Sequence, residues 1–163
     1  MNKVVISAEE VPLPAWANRA EAYIQKVLKL LGHRNWELSV LFCNNRYIKT
    51  LNARFRGRDE PTDVLSFTLG ETMRPSGRAA AVYLAGDIVV SLDALEENAR
   101  YFDVPADEEL CRLLIHGILH LSGADHAGNE EGESMLKTQE EILKSLKKNN
   151  CANILENVME ELR

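Results

Sequence analysis

The residues able to do chemistry are concentrated between positions 116 and 126: His116-Gly117-Ile118-Leu119-His120-Leu121-Ser122-Gly123-Ala124-Asp125-His126. His116 and His120 stand four residues apart, so on a helix both imidazoles leave from one face. Gly123 can take the left-handed backbone that ends a helix and turns the chain back. That return can carry His126 to the same point in space. Three neutral imidazoles with an open fourth position form a catalytic zinc site rather than a closed structural one. The bland alternative is two core histidines bonded to backbone plus one loop histidine. Three of the four histidines of the chain at this spacing favour the metal. Asp125 adjoins His126 and can orient a ligand imidazole as an acceptor, or help polarise bound water. Its alternative role is an ordinary loop carboxylate capping the turn.

The element that must position these groups is a buried helix. From Leu110 to Leu121 the only polar side chains are Arg112, His116 and His120. At 3.6 residues per turn they fall on one stripe, roughly 80° wide. A buried polar group left unsatisfied costs about 1–3 kcal/mol, so the stripe needs partners. Pro105 suits the first helical position, and Asp107, Glu108 and Glu109 suit the positive end of the helix dipole. Gly117 stands where a metallopeptidase helix of the HExxH type carries its general base. A glycine takes no proton, but it lets another backbone or a substrate approach closely.

A second group of interest is Arg54, Arg56 and Arg58 around Gly57. One guanidinium near a metal would grip a phosphate in two-pronged fashion and stabilise added charge on it. From composition alone the three read as a solvated helix C-terminus, where cations are favourable anyway. Pro61-Thr62-Asp63-Val64-Leu65-Ser66-Phe67 reads as a turn and a strand. Its Thr62, Asp63 and Ser66 can bind backbone or line a cleft.

Around these groups the periodicity predicts strands at 3–7, 36–42, 64–67 and 87–90, and helices over about 15–31, 45–56, 92–101, 105–121 and 131–147. Asn44 or Asn45 and Ser91 suit helix N-caps. Gly70, Pro75, Ser76 and Gly77 predict a flexible loop over 70–79. A short amphipathic helix is expected at Ile154 to Leu162. The fold class expected is an α/β (α+β) sandwich: a four-stranded mixed sheet packed with about five or six helices, the histidine helix buried against it.

The 163 residues suggest one domain over 1–163. No apolar run is long enough to span a membrane, and the N-terminus lacks a signal peptide's apolar region. Cys43, Cys111 and Cys151 are odd in number and widely spaced, and read as reduced thiols of a cytoplasmic protein. Cys111, inside the apolar helix, reads as plain core. A net charge of −6 argues against a generic nucleic-acid coating protein, since affinity for phosphate comes from Lys and Arg. It leaves room for a local basic patch.

Several stretches together resemble the bacterial rRNA-maturation endoribonucleases, the YbeY family. His116-Gly-x-Leu-His120-Leu-x-Gly-x-Asp125-His126 is similar to the family signature. So are Leu51-Asn52-x-x-Phe55-Arg56-Gly57 with Asp59-x-Pro61-Thr62-Asp63-Val64-Leu65-Ser66-Phe67, and Leu84-x-Gly86-Asp87-Ile88-Val89-Val90-Ser91, in which Ala85 is an extra residue. Met135 falls where the family has a methionine beneath the site. The likeness covers about residues 36–143 and leaves 151–163 as an extra tail helix. It implies an α/β fold, one zinc ion held by His116, His120 and His126, and Arg56 on RNA phosphate. It further implies hydrolytic cleavage of single-stranded RNA, maturation of the 16S rRNA 3′ end and ribosome quality control. The implied partners are rRNA and the ribosome or small-subunit proteins, with no membrane; nothing in the sequence assigns an oligomeric state. Water or the neighbouring 2′-hydroxyl can be the attacking group. Two other readings stay open: a zinc metallopeptidase, against which Gly117 counts, and a ribosome-assembly factor whose zinc only braces the fold.

Overall fold

The alternation of Trp36, Leu38, Val40 and Phe42 with more polar neighbours makes β2 (Trp36–Cys43) a strand with one face fully covered. A computed structural model, which describes residues 1–123 and 129–148 but not the side chains of 129–132 and 148, builds a four-stranded sheet around it. The strand order is β1 (Lys3–Ala8), β2, β4 (Val82–Ser91), β3 (Val64–Met73). β1 and β4 run parallel to β2, and β3 returns antiparallel to β4, so the sheet is mixed as expected. Five helices lie among the described residues: α1 (Ala17–Leu30), α2 (Asn45–Arg56), α3 (Leu92–Tyr101), α4 (Ala106–Leu121) and α5 (Asn129–Lys148). The tail helix expected at 154–162 lies outside them.

Parallel strands need crossover connections that cover the faces of the sheet. Val4, Leu38, Val40, Phe42, Ile88 and Val90 share one core with α1 and α4, and α3 and α5 also contribute to it. Val89, Leu65 and Cys43 face the other way and are covered by Ile48, Tyr47 and Leu51 of α2. The sheet is therefore a middle layer, with the larger core on the α4 side. α4 has eleven buried residues and is the central helix of that core. Fully burying each Leu or Ile side chain there contributes about 1.5–3 kcal/mol relative to exposure. The helix starts one residue later than Pro105, which stands at the N-cap position.

The loop expected over 70–79 is shorter in the structure. Glu71, Thr72 and Met73 pair with Leu84, Tyr83 and Val82, so both strands of the hairpin extend beyond the predicted 64–67 and 87–90. Gly70 reads as a turn glycine in the sequence, but it sits where the β3–β4 register shifts, between Thr68 and Glu71. Opposite it, β4 carries Ala85 as a bulged residue, since Glu37 pairs with Leu84 and Leu38 with Gly86. The residue that stands out as extra in the sequence is thus the one the sheet expels from pairing. Gly86 is required next to it. Its φ is +136°, and a Cβ there would lie 2.0 Å from the Phe67 carbonyl oxygen.

Candidate active site

His116 and His120 do leave α4 on the same face. Their Nε2 atoms lie 3.2 Å apart, with ring centroids at 4.8 Å. Two nitrogens bound to one tetrahedral zinc at 2.0–2.1 Å would stand about 3.3 Å apart. The pair therefore fits two corners of a zinc site. At the end of α4, Gly123 has φ +93° and its N–H meets the His120 carbonyl at 3.0 Å, the left-handed turn expected there. His126 and Asp125 lie outside the described residues. Among the described residues no group of three or more His, Cys, Asp or Glu side chains converges.

The polar stripe of α4 has the partners it needs, and α5 supplies the principal ones. Gln139 is buried, and its Oε1 lies 2.7 Å from His116 Nδ1. Its amide nitrogen faces the Glu140 carboxylate at 3.4 Å. A carboxylate only accepts, so the amide nitrogen belongs on that side and the amide oxygen faces the imidazole. His116 Nδ1–H then donates to Gln139, which leaves the Nε2 lone pair directed at His120. One turn earlier, Arg112 donates through Nε to Glu140 at 2.7 Å and through Nη1 to the buried Glu109 at 3.0 Å. Hydrogen bonding to Arg112 is the main cause that holds the Glu140 carboxyl below its ordinary range. The same ion pairs push the Arg112 guanidinium up, so both partners stay charged through the neutral range. Gln139 is legible in the sequence only as one polar residue on the apolar stripe of its helix.

Gly117 lets something approach closely, but neither a backbone nor a substrate. A Cβ at Gly117 would lie 2.8 Å from Ile88 Cγ2 and 2.9 Å from Cδ1, so the glycine is the contact between α4 and β4. The position at which an HExxH helix places its base is here turned into the core. Cys111 is a core residue as expected, and Met135 is buried in the same core. Burial pushes the Cys111 thiol up to about 12, which removes it as a nucleophile.

Arg56 is exposed at the C-terminus of α2 and donates from Nη2 to the Ser66 carbonyl at 2.7 Å. Ser66 pairs with Ile88, and Ile88 touches Gly117. That chain of contacts links the guanidinium through β3 and β4 to the residue next to His116. Arg54 and Arg58 do not join it: Arg54 lies over Phe55, and Arg58 is held through its backbone to Asn52. In the 61–67 stretch, Asp63 binds backbone and side chain, accepting from Val64 N and from Asn98 Nδ2. His33 carries no spacing in the sequence that singles it out. It stacks on Trp36 with centroids 3.7 Å apart, and its Nε2 lies 3.0 Å from Ser122 Oγ at the end of α4.

The family model described as Endoribonuclease YbeY matches residues 4–147, further in both directions than the signatures alone. A protein named Endoribonuclease YbeY from Treponema denticola is 49% identical over 130 residues, 79% of this chain and 83% of the relative. One of the same name from Treponema pallidum is 44% identical over 144 residues, 88% and 89% of the two chains. The solution structure of TM1509 from Thermotoga maritima is similar at 31% identity with a TM-score of 0.50, covering 91% of this chain and 94% of that one. The class that fold and relatives define is that of hydrolases cutting RNA phosphodiester bonds internally. The chain belongs to the Endoribonuclease YbeY family.

Proposed function

We propose that this chain is a zinc-dependent, single-strand-specific endoribonuclease that acts in the cytoplasm on 16S rRNA 3′-end maturation and ribosome quality control. The observation that carries the zinc reading is the His116–His120 pair, with Nε2 atoms 3.2 Å apart and one ring held by Gln139. His116, His120 and His126 would hold the ion. A bound zinc ion would supply Lewis acidity toward a phosphoryl oxygen and a lowered pKa for water. Gln139 keeps the His116 lone pair on the metal side. Arg56 offers charge-assisted hydrogen bonds to a phosphate, and Asp125 is assigned to orienting His126 or the attacking group. The substrate and the ribosomal partner are assigned from family membership. The orientation of Gly117 into Ile88 speaks against the metallopeptidase alternative.

The test is cleavage of a short labelled single-stranded RNA by purified protein, beside His120→Ala prepared identically and checked for folding by circular dichroism. Cleavage by the first alone, with a fall in zinc per chain in the variant, is the expected result. Equal cleavage by both, or unchanged zinc content, overturns the assignment. If neither cleaves although zinc is bound, a zinc-braced assembly factor takes its place.

A further inference from the structure

The end of α2 and the adjacent edge of the sheet carry an arrangement that the histidine site does not use. Phe55 is 54% exposed although it is one of the few aromatic residues of the chain. Its ring meets Phe67 of β3 edge-on, with centroids 5.3 Å apart. The Arg54 guanidinium lies 5.2 Å from the Phe55 centroid, and that of Arg56 lies 5.4 Å from Phe67. The four side chains form a row, cation–ring–ring–cation, on the surface. Among the described residues none of Arg54, Arg56 and Arg58 carries an ion pair, whereas Arg46, Arg100 and Arg112 all do. In a chain of net charge −6 this leaves two cations without an ion pair, Arg54 and Arg56, against the Phe55–Phe67 rings.

We propose that Phe55, supported by Phe67 and flanked by Arg54 and Arg56, is a base-stacking shelf for single-stranded RNA entering the site. The ligand rests on the endoribonuclease reading above; the location and the stacking mode are new. Every base has a π-face, so an exposed phenyl ring takes any unpaired base, while duplex bases offer no free face. The Arg54 guanidinium covers one face of Phe55 and that of Arg56 lies over Phe67, so a base stacks on the other face of Phe55 and the two cations are near its phosphates. Arg56 is in addition pinned to the Ser66 carbonyl. Its grip therefore has a fixed position relative to β3, and through Ile88 and Gly117 relative to His116.

The test measures RNA affinity by fluorescence anisotropy, in a His120→Ala background so that the RNA stays intact. Phe55→Leu keeps an apolar contact with Phe67 but has no stacking face. It is expected to weaken binding of a labelled ten-nucleotide single strand by roughly 5- to 100-fold. Binding of a duplex of the same length stays the same, and so does the salt dependence. Phe55→Trp restores the affinity. Arg54→Gln should instead lower the slope of log affinity against log salt by about 0.7 for each phosphate it no longer neutralises. Single-strand binding at unchanged affinity in a well-folded Phe55→Leu overturns the shelf and leaves a protein partner for Phe55. Equal weakening on single strand and duplex overturns it too, as does failure of a normally melting Phe55→Trp. Because binding is read without cleavage, a shelf that binds single strands while the zinc-bound wild-type protein fails to cut them would sink the nuclease reading and leave this one standing.

Discussion

At the scale of single residues, the choice of which nitrogen carries a proton decides what the histidines can do. Gln139 settles it for His116, because its amide nitrogen is taken up by Glu140 and its oxygen must accept. Gln139→Leu removes this acceptor from the half-buried His116 ring. The expected outcome is a zinc affinity lowered about 10- to 100-fold, the usual cost of removing such a partner, measured by competition with a chromophoric chelator. Secondary structure should stay native in circular dichroism. Unchanged affinity would show that His116 is oriented by packing alone. The conservative Gln139→Glu, which keeps an acceptor on Nδ1–H, should recover most of the affinity. None of this is legible from the histidine motif, since Gln139 is 23 residues from His116 along the chain.

Between elements, the position of α4 is set by how near it comes to the sheet. Gly117 packs against Ile88, which is fully buried and β-branched, so it has few rotamers into which to retreat. Gly117→Ala forces the helix outward or Ile88 off its rotamer, at about 1–3 kcal/mol of overpacking. A denaturant titration should show that destabilisation, and the cost of Gly117→Ala should shrink when it is measured in an Ile88→Ala background. If Gly117→Ala instead stabilises, through its better helix propensity, the close contact does not limit the approach. The second brace of α4 is Arg112, which ties it to Glu140 of α5. Both braces hold the same stripe that presents the imidazoles, so helix packing and site geometry are a single problem here.

Over the whole molecule, distant segments meet at the C-terminal end of α4. His33 follows α1, and it reaches Ser122 while stacked on Trp36. Burial lowers the His33 pKa below its ordinary value of 6.5. The folded state therefore prefers neutral His33, and the unfolded chain binds a proton more readily. Its contribution to stability is present above the unfolded pKa and fades as the pH falls from about neutral through the lower folded value. Thermal melts of the wild type and His33→Phe from pH 7.5 to 5.5 should show a steeper decline for the wild type. Parallel slopes would mean that His33 is equally at ease charged. The sign follows from burial being the cause; a carboxylate partner would have reversed it.

The sequence by itself determined the elements with strong periodicity, the mixed sheet, a cap at Asn44 or Asn45 and one at Ser91, and the helix that carries His116 and His120. These follow from local rules: alternation along β2, one polar stripe on α4, short polar side chains that accept from the first turns of α2 and α3. Family membership was legible too, because its signatures lie in those same stretches. Only the tertiary structure decided that Gly70 lies at a register shift within the β3–β4 ladder and not in a loop, since pairing across β3 and β4 outweighs a glycine's turn preference. It alone turned Gly117 toward Ile88, put Gln139 on His116 and brought Phe55 beside Phe67. Each of these contacts joins residues far apart in the chain, and no pattern within one segment records what another segment will bring to it.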